Sequence, residues 1–377
     1  MFDVLFSIAI SFAIVFLAIP VIIAVAEQKK LFDIPDERKV HQSPIPSLGG
    51  LGIFAGFMLA CLIAIPHQSA SGFQYFFAAA FVIFFLGLKD DILVISPIKK
   101  FIGQVLAAFL IIYKGNIQIK SMYGFMGIHE LPEMFSLVLT YLTIIVIINS
   151  FNLIDGIDGL AGSLGLMAST VFGFYFLQVN MLAYSILAFS LAGSLMAFLI
   201  FNFQPAKIFM GDTGSLLIGL VNAILVIKFI NVANQVETSH PVIAAPAIGV
   251  AILVIPLMDT LRVFAIRTYH RRSPFSPDRN HIHHLLLDRG FSHRFIALLL
   301  VSINMLFILA AYAGRNFGCT WIILAILIVF FSCIAALYYT RPRARLFVTK
   351  TLEVPEGELK TTKIVPLTTD TILEHKN

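Results

Sequence analysis

Two amides and two carboxylates fall within one short segment, Asn149 to Leu160. The amides are Asn149 and Asn152, and the carboxylates are Asp155 and Asp158. Glycines in the segment permit a tight turn, and it contains no Lys or Arg that would neutralise the acids. Mg²⁺ prefers carboxylate and amide oxygens, so the segment predicts a cation partner. The alternative is that these Asn and Asp residues only shape a turn or cap a helix.

Two further acidic sites follow or precede apolar blocks. Adjacent carboxylates at Asp90 and Asp91 could bind a divalent cation or have raised pKa values, or they could be solvated loop charges. Lys99 and Lys100 follow in the same loop and either face a phosphate or are ordinary loop lysines. Asp212, at the start of another block, could be a helix N-cap or a metal ligand. The residues alone leave each of these pairs of roles open.

A basic loop between residues 267 and 294 combines arginines with a run of histidines. Its arginines and histidines of interest are Arg271, Arg272, Arg279, His281, His283 and His284. A zinc site would need further ligands, and no Cys or further His completes a ligand set with this run. Guanidinium groups match phosphate oxygens in geometry, so this loop is predicted to bind a phosphate and a sugar.

The elements that must position these residues are apolar helices. The chain has 377 residues, of which 59% are hydrophobic and 12% charged. Apolar blocks of the length that spans a bilayer predict an all-α bundle of about eleven helices. The first block, 4–26, is too long for a signal-peptide core, and the fourth, 101–113, is short and could be tilted or extended into its flanks. The ninth, 241–266, contains Asp259, and a carboxylate inside such a block is expected to be functional or critical for packing.

The distribution of basic residues predicts the orientation. Of the 26 Lys and Arg residues, 22 fall in one alternate set of loops and in the tail. That set is therefore predicted to be cytoplasmic, with the N-terminus outside and the C-terminus inside. The same bias accounts for the net charge of +5 without a nucleic-acid partner. Residues 1–340 form the predicted membrane domain, residues 341–377 a polar mobile tail, and the outer loop 114–133 is long enough for a small hairpin.

Five motifs together resemble the polyprenyl-phosphate N-acetylhexosamine-1-phosphate transferases, a superfamily that also contains the phospho-N-acetylmuramoyl-pentapeptide transferases. They occur in order, each in a loop predicted to be cytoplasmic. The matching segments are Asp33 to Gly50, Lys89 to Asp91, Asn149 to Leu160, Gly211 to Ser215 and His281 to His284. The resemblance covers about residues 1–340 and excludes the tail.

The resemblance implies a bundle of ten or eleven helices with a cytoplasmic cleft, in the bacterial inner membrane. It implies that a polyprenyl phosphate attacks the β-phosphate of a UDP-sugar and that UMP leaves. Mg²⁺ would be the cofactor, with Mn²⁺ as an allowed substitute, and a homodimer is allowed for. The implied roles are as follows: Mg²⁺ ligands, Asn152 and Asp212; catalytic residues, Asp90, Asp91, Asp155 and Asp158; substrate-binding residues, Lys89, Lys100, Arg271, Arg279, His281, His283 and His284.

The form of the last motif is expected to decide the subgroup. The run His281-Ile282-His283-His284 with arginines upstream looks like the N-acetylhexosamine branch, with N-acetylglucosamine 1-phosphate as the expected group. A phospho-N-acetylmuramoyl-pentapeptide transferase is the alternative within the superfamily. A secondary transporter is the alternative from another class, and it would show internal repeats and broken helices with polar sites at the midplane. The sequence shows no repeat, and its polar residues gather at one face.

Overall fold

The protein is described from a computed structural model, which describes residues 1–31, 45–69, 71–233, 242–271 and 280–340. Apolar helices make up nearly all of it. The helices are α1 Phe2–Lys29, α2 Gly49–Ala64, α3 Phe73–Ile92, α4 Pro97–Phe109, α5 Glu133–Ile154, α6 Leu160–Gln178, α7 Leu182–Asn202, α8 Gly211–Ala233, α9 Ala245–Ile252, α10 Val254–Tyr269, α11 Ile282–Leu287, α12 His293–Ala313 and α13 Cys319–Tyr339. The predicted all-α architecture is confirmed.

Within the described residues, seven helices are long and apolar enough to cross a membrane, and eight if the bent pair α9 and α10 counts as one span. Helix α2, with 16 residues, is shorter. The short fourth block extends into its flanks as expected, because α4 begins at Pro97 and a π-helical turn, Leu110–Lys114, continues it. These helices pack together as one multi-pass membrane bundle.

Helix α8 lies at the centre of the bundle. In its most apolar stretch 89% of residues are buried inside the protein, against 17% for the peripheral α1. Helices α2, α3, α5, α6, α7 and α9 all pack against it. A helix that is apolar on every side suits this position, since it meets protein rather than water all round. The site described below is built at the amino end of this central helix.

The predicted outer hairpin is present. Strands β1, Ser121–Phe125, and β2, Ile128–Glu130, form an antiparallel pair between α4 and α5. The hairpin packs on α13 and α9, and the backbone N–H of Met126 donates to the Thr320 hydroxyl at 2.7 Å. It therefore closes the end of the bundle opposite the acidic motifs.

The prediction of one continuous helix over 241–266 is wrong, because the chain bends by 81° between α9 and α10. Pro256 lies in the first turn of α10, where its ring prevents a helical hydrogen bond to the Ile252 carbonyl. Asn304 of α12 satisfies the freed backbone groups: its amide nitrogen donates to the carbonyls of Ala251 (3.1 Å) and Ile252 (3.0 Å), and its oxygen accepts from Ile255 N–H (3.2 Å). In lipid such groups need a protein partner, so Asn304 makes the break stable.

Candidate active site

The amino end of helix α8 is capped by a carboxylate from another helix. Asp91, in the last turn of α3, accepts hydrogen bonds from the backbone N–H groups of Asp212 (2.7 Å) and Thr213 (3.0 Å) and from the Thr213 hydroxyl (2.5 Å). The first N–H groups of a helix have no partner within it, and the positive end of its dipole favours an anion. The sequence left open whether Asp212 is the N-cap of this helix or a metal ligand. Asp91 fills the role of the cap instead.

A glycine allows α3 to approach α8 closely enough for this contact. Gly87 lies one turn before Asp91 on the same face of α3. A Cβ atom at Gly87 would lie 2.5 Å from the Cα of Thr213, which is far inside van der Waals contact. A side chain at position 87 would push the two helices apart and withdraw Asp91 from its three donors.

Lys100 joins two of the predicted acids. Its Nζ atom lies 2.6 Å from Oδ2 of Asp90 and 2.6 Å from Oδ2 of Asp212. The other oxygen of Asp90 accepts a hydrogen bond from the backbone N–H of Ile95 at 2.9 Å. The Asp90 and Asp212 side chains are 13% and 23% exposed, so a solute can reach them. Lys100 thus belongs to the acidic cluster, whereas Lys99 is exposed.

Helix α5 adds amides to this cluster. The Asn152 amide nitrogen donates to Asp212 Oδ1 at 2.9 Å and to the Ser215 hydroxyl at 3.1 Å. One turn earlier, Asn149 exchanges two hydrogen bonds with the buried Gln104 of α4, at 2.8 and 3.3 Å. Because Gln104 lies one turn from Lys100, this reciprocal amide pair also fixes the position of the lysine.

The Asp155 carboxyl lies in a negative field. Burial of this group, followed by the charges of Asp212, Asp91 and Asp158, raises its pKa to about 8. Like charges close together disfavour ionisation, and a cation placed among them would restore it. The Asp155 carboxyl is therefore close enough to the α8 cluster to sense its charge.

Asp158 is directed elsewhere. It is buried, and its Oδ1 atom lies 3.4 Å from Nδ1 of His293 at the start of α12. Its neighbour Gly159 donates its N–H to the Asn202 side chain at 2.9 Å. The structure therefore places Asp158 where it joins the loop to α12, and its predicted catalytic role stays a prediction.

The chemistry of this donor set fits Mg²⁺. The carboxylate of Asp212 and the amide of Asn152 lie together. Among the described contacts, Lys100 is the cation that binds Asp212. No three Asp, Glu, His or Cys side chains among the described residues converge as a complete metal site. Mg²⁺ in proteins is commonly held by one or two carboxylates and keeps several waters, so Asp212 and Asn152 are compatible with part of its ligand shell.

The histidine motif lies on the short helix α11 and is largely buried. His281 precedes the helix, and its Nδ1 lies 2.8 Å from Oδ2 of Asp259 in α10. His283 packs on the acidic loop: a Cβ at Gly156 would lie 2.3 Å from its Nε2 atom, so only glycine fits there. Burial is the main cause that lowers the pKa of His283 well below its usual value, which keeps the ring neutral. The loop predicted to bind substrate thus contacts the predicted metal loop.

Other predicted residues are less closely associated. Lys89 is exposed in the last turn of α3, and Arg271 is exposed with a left-handed backbone (φ 55°). Arg272 and Arg279 lie outside the described residues, as does the loop 32–44 that carries most of the first motif. The tail, 341–377, lies outside them as well. Substrate binding by Lys89, Arg271 and Arg279 stays a prediction.

Several residues that contact the predicted site residues could not be identified from the sequence. Thr213 and Ser215 lie inside a motif that was identified, but their contacts with Asp91 and Asn152 come from different helices. No local pattern in the sequence identifies Gln104 or His293. The partner of Gln104 lies 45 residues away in the chain, and that of His293 lies 135 residues away. Asp259 was recognised as an unusual carboxylate, and the structure now supplies its partner in His281.

Comparisons with known proteins identify the family of this membrane protein. The sequence model of glycosyl transferase family 4 matches residues 73–230, which include both α3 and the amino end of α8. The chain belongs to this family. Its similarity to curated relatives extends over most of its length.

Three relatives illustrate the extent of the similarity. A probable undecaprenyl-phosphate N-acetylglucosaminyl 1-phosphate transferase of Bacillus subtilis is 31% identical over 346 residues, which cover 89% of this chain and 92% of the relative. The undecaprenyl-phosphate α-N-acetylglucosaminyl 1-phosphate transferase of Yersinia pestis is 32% identical over 339 residues, covering 87% and 88%. A decaprenyl-phosphate N-acetylglucosaminephosphotransferase of Mycolicibacterium smegmatis is 36% identical over 288 residues, covering 71% of each chain.

The two adjacent acids are expected to respond differently to removal of their charge. Asp90→Asn and Asp91→Asn should each slow turnover by about 30-fold or more, which is ~2 kcal/mol of transition-state stabilisation. Only Asp91→Asn should also lower the melting temperature of the detergent-solubilised protein, because the amide loses the charge at the helix N-terminus and one of the two acceptor oxygens, at a cost of about 1 kcal/mol. Asp90 is a partly exposed ion-pair partner, whose loss costs less stability.

Turnover rates and thermal melts of the two variants would be measured beside Glu130→Gln, a neutralised acid on the exposed outer hairpin. Near-wild-type rates in both aspartate variants would show that the pair is an ordinary loop charge. Equal loss of thermal stability in both would contradict the cap assigned to Asp91.

Proposed function

We propose that this chain transfers N-acetylglucosamine 1-phosphate from UDP-N-acetylglucosamine to undecaprenyl phosphate and releases UMP. The relatives described above carry names for transfer of this group to a polyprenyl phosphate. The observation that carries the proposal is the cluster at the amino end of α8, where Asp90, Lys100, Asn152 and Asp212 meet. The product would be the first lipid-linked sugar of a cell-envelope polysaccharide.

The reaction replaces one phosphoanhydride bond by another. An oxygen of the lipid phosphate forms a bond to the β-phosphorus of the donor, and the bond from that phosphorus to the bridging oxygen breaks, so that UMP leaves with the electron pair. Such a transfer needs positioning and charge neutralisation more than covalent catalysis. Mg²⁺ held by Asp212 and Asn152 would supply Lewis-acid stabilisation of the diphosphate.

Lys100 is suited to move its ion pair from a carboxylate to a phosphate of the substrate. It contacts Asp90 and Asp212 through one ammonium group, whose side chain is 27% exposed. An ammonium on a flexible stem can exchange a carboxylate partner for a phosphate oxygen without a change in the backbone. Asp90 would then be free to position the lipid phosphate or to accept its proton.

Direct attack by the lipid phosphate is favoured over a two-step route in which Asp91 attacks first and forms a covalent aspartyl-phosphate intermediate. Both oxygens of Asp91 accept hydrogen bonds, three in all, from the start of α8. A carboxylate bound in this way is a weakened nucleophile, and its attack would uncap the central helix. The lipid phosphate is already an anion and needs little activation.

The histidine loop is assigned to the UDP-sugar. His283 packs on the acidic loop at Gly156, so α11 and the acidic cluster border one region. Within the described residues, neither ring nitrogen of the buried His283 has a hydrogen-bond partner. The neighbouring arginines, Arg271 and Arg279, are proposed to contact the diphosphate.

Donor selectivity tests the proposed reaction. Purified protein with Mg²⁺ and undecaprenyl phosphate should release UMP from UDP-N-acetylglucosamine or its galactose epimer, and much more slowly from the UDP-muramoyl-pentapeptide. Asp212→Ala, which removes a proposed Mg²⁺ ligand, is the matched inactive control. Faster turnover of the pentapeptide donor would overturn the assigned branch and leave only the family.

The acidic face is proposed to be cytoplasmic, in the bacterial inner membrane. UDP-sugars are made inside the cell, and the basic loops lie on the side of the acidic motifs. In a variant whose three native cysteines are replaced by alanine, Arg271→Cys should react with an impermeant maleimide only in inverted vesicles. Met126→Cys, on the exposed outer hairpin, should react in intact cells. The opposite pattern would invert the orientation and remove access to the donor.

A further inference from the structure

A buried carboxylate on the broken helix holds the first histidine of the motif. Asp259 is fully buried in α10. Its Oδ2 atom lies 2.8 Å from Nδ1 of His281, and its Oδ1 atom accepts from the backbone N–H of Ile282 at 3.1 Å and from Arg262 at 2.8 Å. One side chain thus holds both the ring of His281 and the start of helix α11.

The charge of Asp259 is compensated where it lies. The Arg262 guanidinium, 5% exposed, pairs with it and also donates to the Asn280 carbonyl and to the Tyr338 hydroxyl of α13. A buried carboxylate that pairs with an arginine and accepts a backbone N–H is stable as an anion. An ionised carboxylate can only accept hydrogen bonds.

This arrangement determines the tautomer of His281. Since Asp259 can only accept, Nδ1 of His281 must carry a hydrogen, and Nε2 is the ring atom left to act on a ligand. Within the described residues no hydrogen bond involves that Nε2 atom. The ring is stacked on His283, with 5.7 Å between centroids and 7° between planes, and His283 in turn contacts the acidic loop.

The bend in the membrane helix places Asp259 at this point. Asn304 stabilises the break before α10, and Asp259 follows it by less than two turns. An unbroken helix from Ala245 would carry Asp259 along the axis of α9 instead. The break is therefore part of how the histidine is presented.

We infer that Asp259 is a positioning residue for the transfer reaction, which holds His281 in the Nδ1-protonated form and directs Nε2 toward the bound donor. The inference rests on the proposed function, in which the histidine loop contacts the UDP-sugar. Asp259 itself touches neither substrate and acts only through His281.

Substitution of Asp259 should lower the turnover number. In Asp259→Asn, the amide can donate to Nδ1 and so stabilise the wrong tautomer. We expect kcat for UMP release to fall by about 10- to 100-fold, with a smaller change in the KM for UDP-N-acetylglucosamine. Asp259→Glu keeps the ion pair with Arg262 but displaces the carboxylate. Its kcat should lie between that of the wild type and that of Asp259→Asn. Asp288→Asn, an exposed carboxylate just after α11, is the matched control and should retain the wild-type rate.

A double-mutant cycle separates positioning from a purely structural role. If Asp259 acts through His281, adding Asp259→Asn or Asp259→Glu to His281→Ala should cause no further loss of rate. Full multiplicative loss in the double variants would overturn the inference and leave the proposed function intact. A wild-type rate in His281→Ala would overturn both the role of the histidine and that of Asp259. If Asp259→Asn does not fold, the cycle is completed with Asp259→Glu, which leaves no buried charge unpaired.

Discussion

The structure depends on the hydrogen bonds between Asp91 and the start of helix α8. The first N–H groups of a helix have no partner within it, so the start of the central helix needs acceptors from elsewhere in the bundle. Asp91 provides the acceptors from α3, and the close packing at Gly87 makes this reach possible. The same positive helix end attracts further anions. The carboxylates that gather there are therefore held by the fold before any cation or diphosphate is bound.

The broken helix shows a second use of the same constraint. Broken spans with buried polar groups are what a transporter would show, but here Asn304 satisfies the break and a buried acid beyond it serves the histidine motif. The break alone does not separate the two classes. The two classes differ in where the polar residues lie, and here the acids, Lys100 and α11 lie at one end of the bundle. In addition, the chain matches its relatives over most of its length.

The sequence predicted the helices well because length and apolarity in a bilayer leave few alternatives. It also identified Asp90, Asp91, Asn152 and Asp212, whose motifs are local. It did not predict the bend at 252–254, since Pro256 looked tolerable without knowledge of Asn304. Which acid caps α8, which binds Lys100 and which faces His293 depends on contacts between distant segments, and no local pattern encodes them.

The central claim is that the amino end of α8 is where cation and diphosphate meet. Anomalous X-ray diffraction from crystals grown with Mn²⁺ and UDP-N-acetylglucosamine tests it directly, because Mn²⁺ takes the oxygen ligands that Mg²⁺ prefers. The account predicts a manganese peak on the Asp212 side chain, lost in Asp212→Ala. A peak away from the start of α8, or one unchanged in Asp212→Ala, would contradict it.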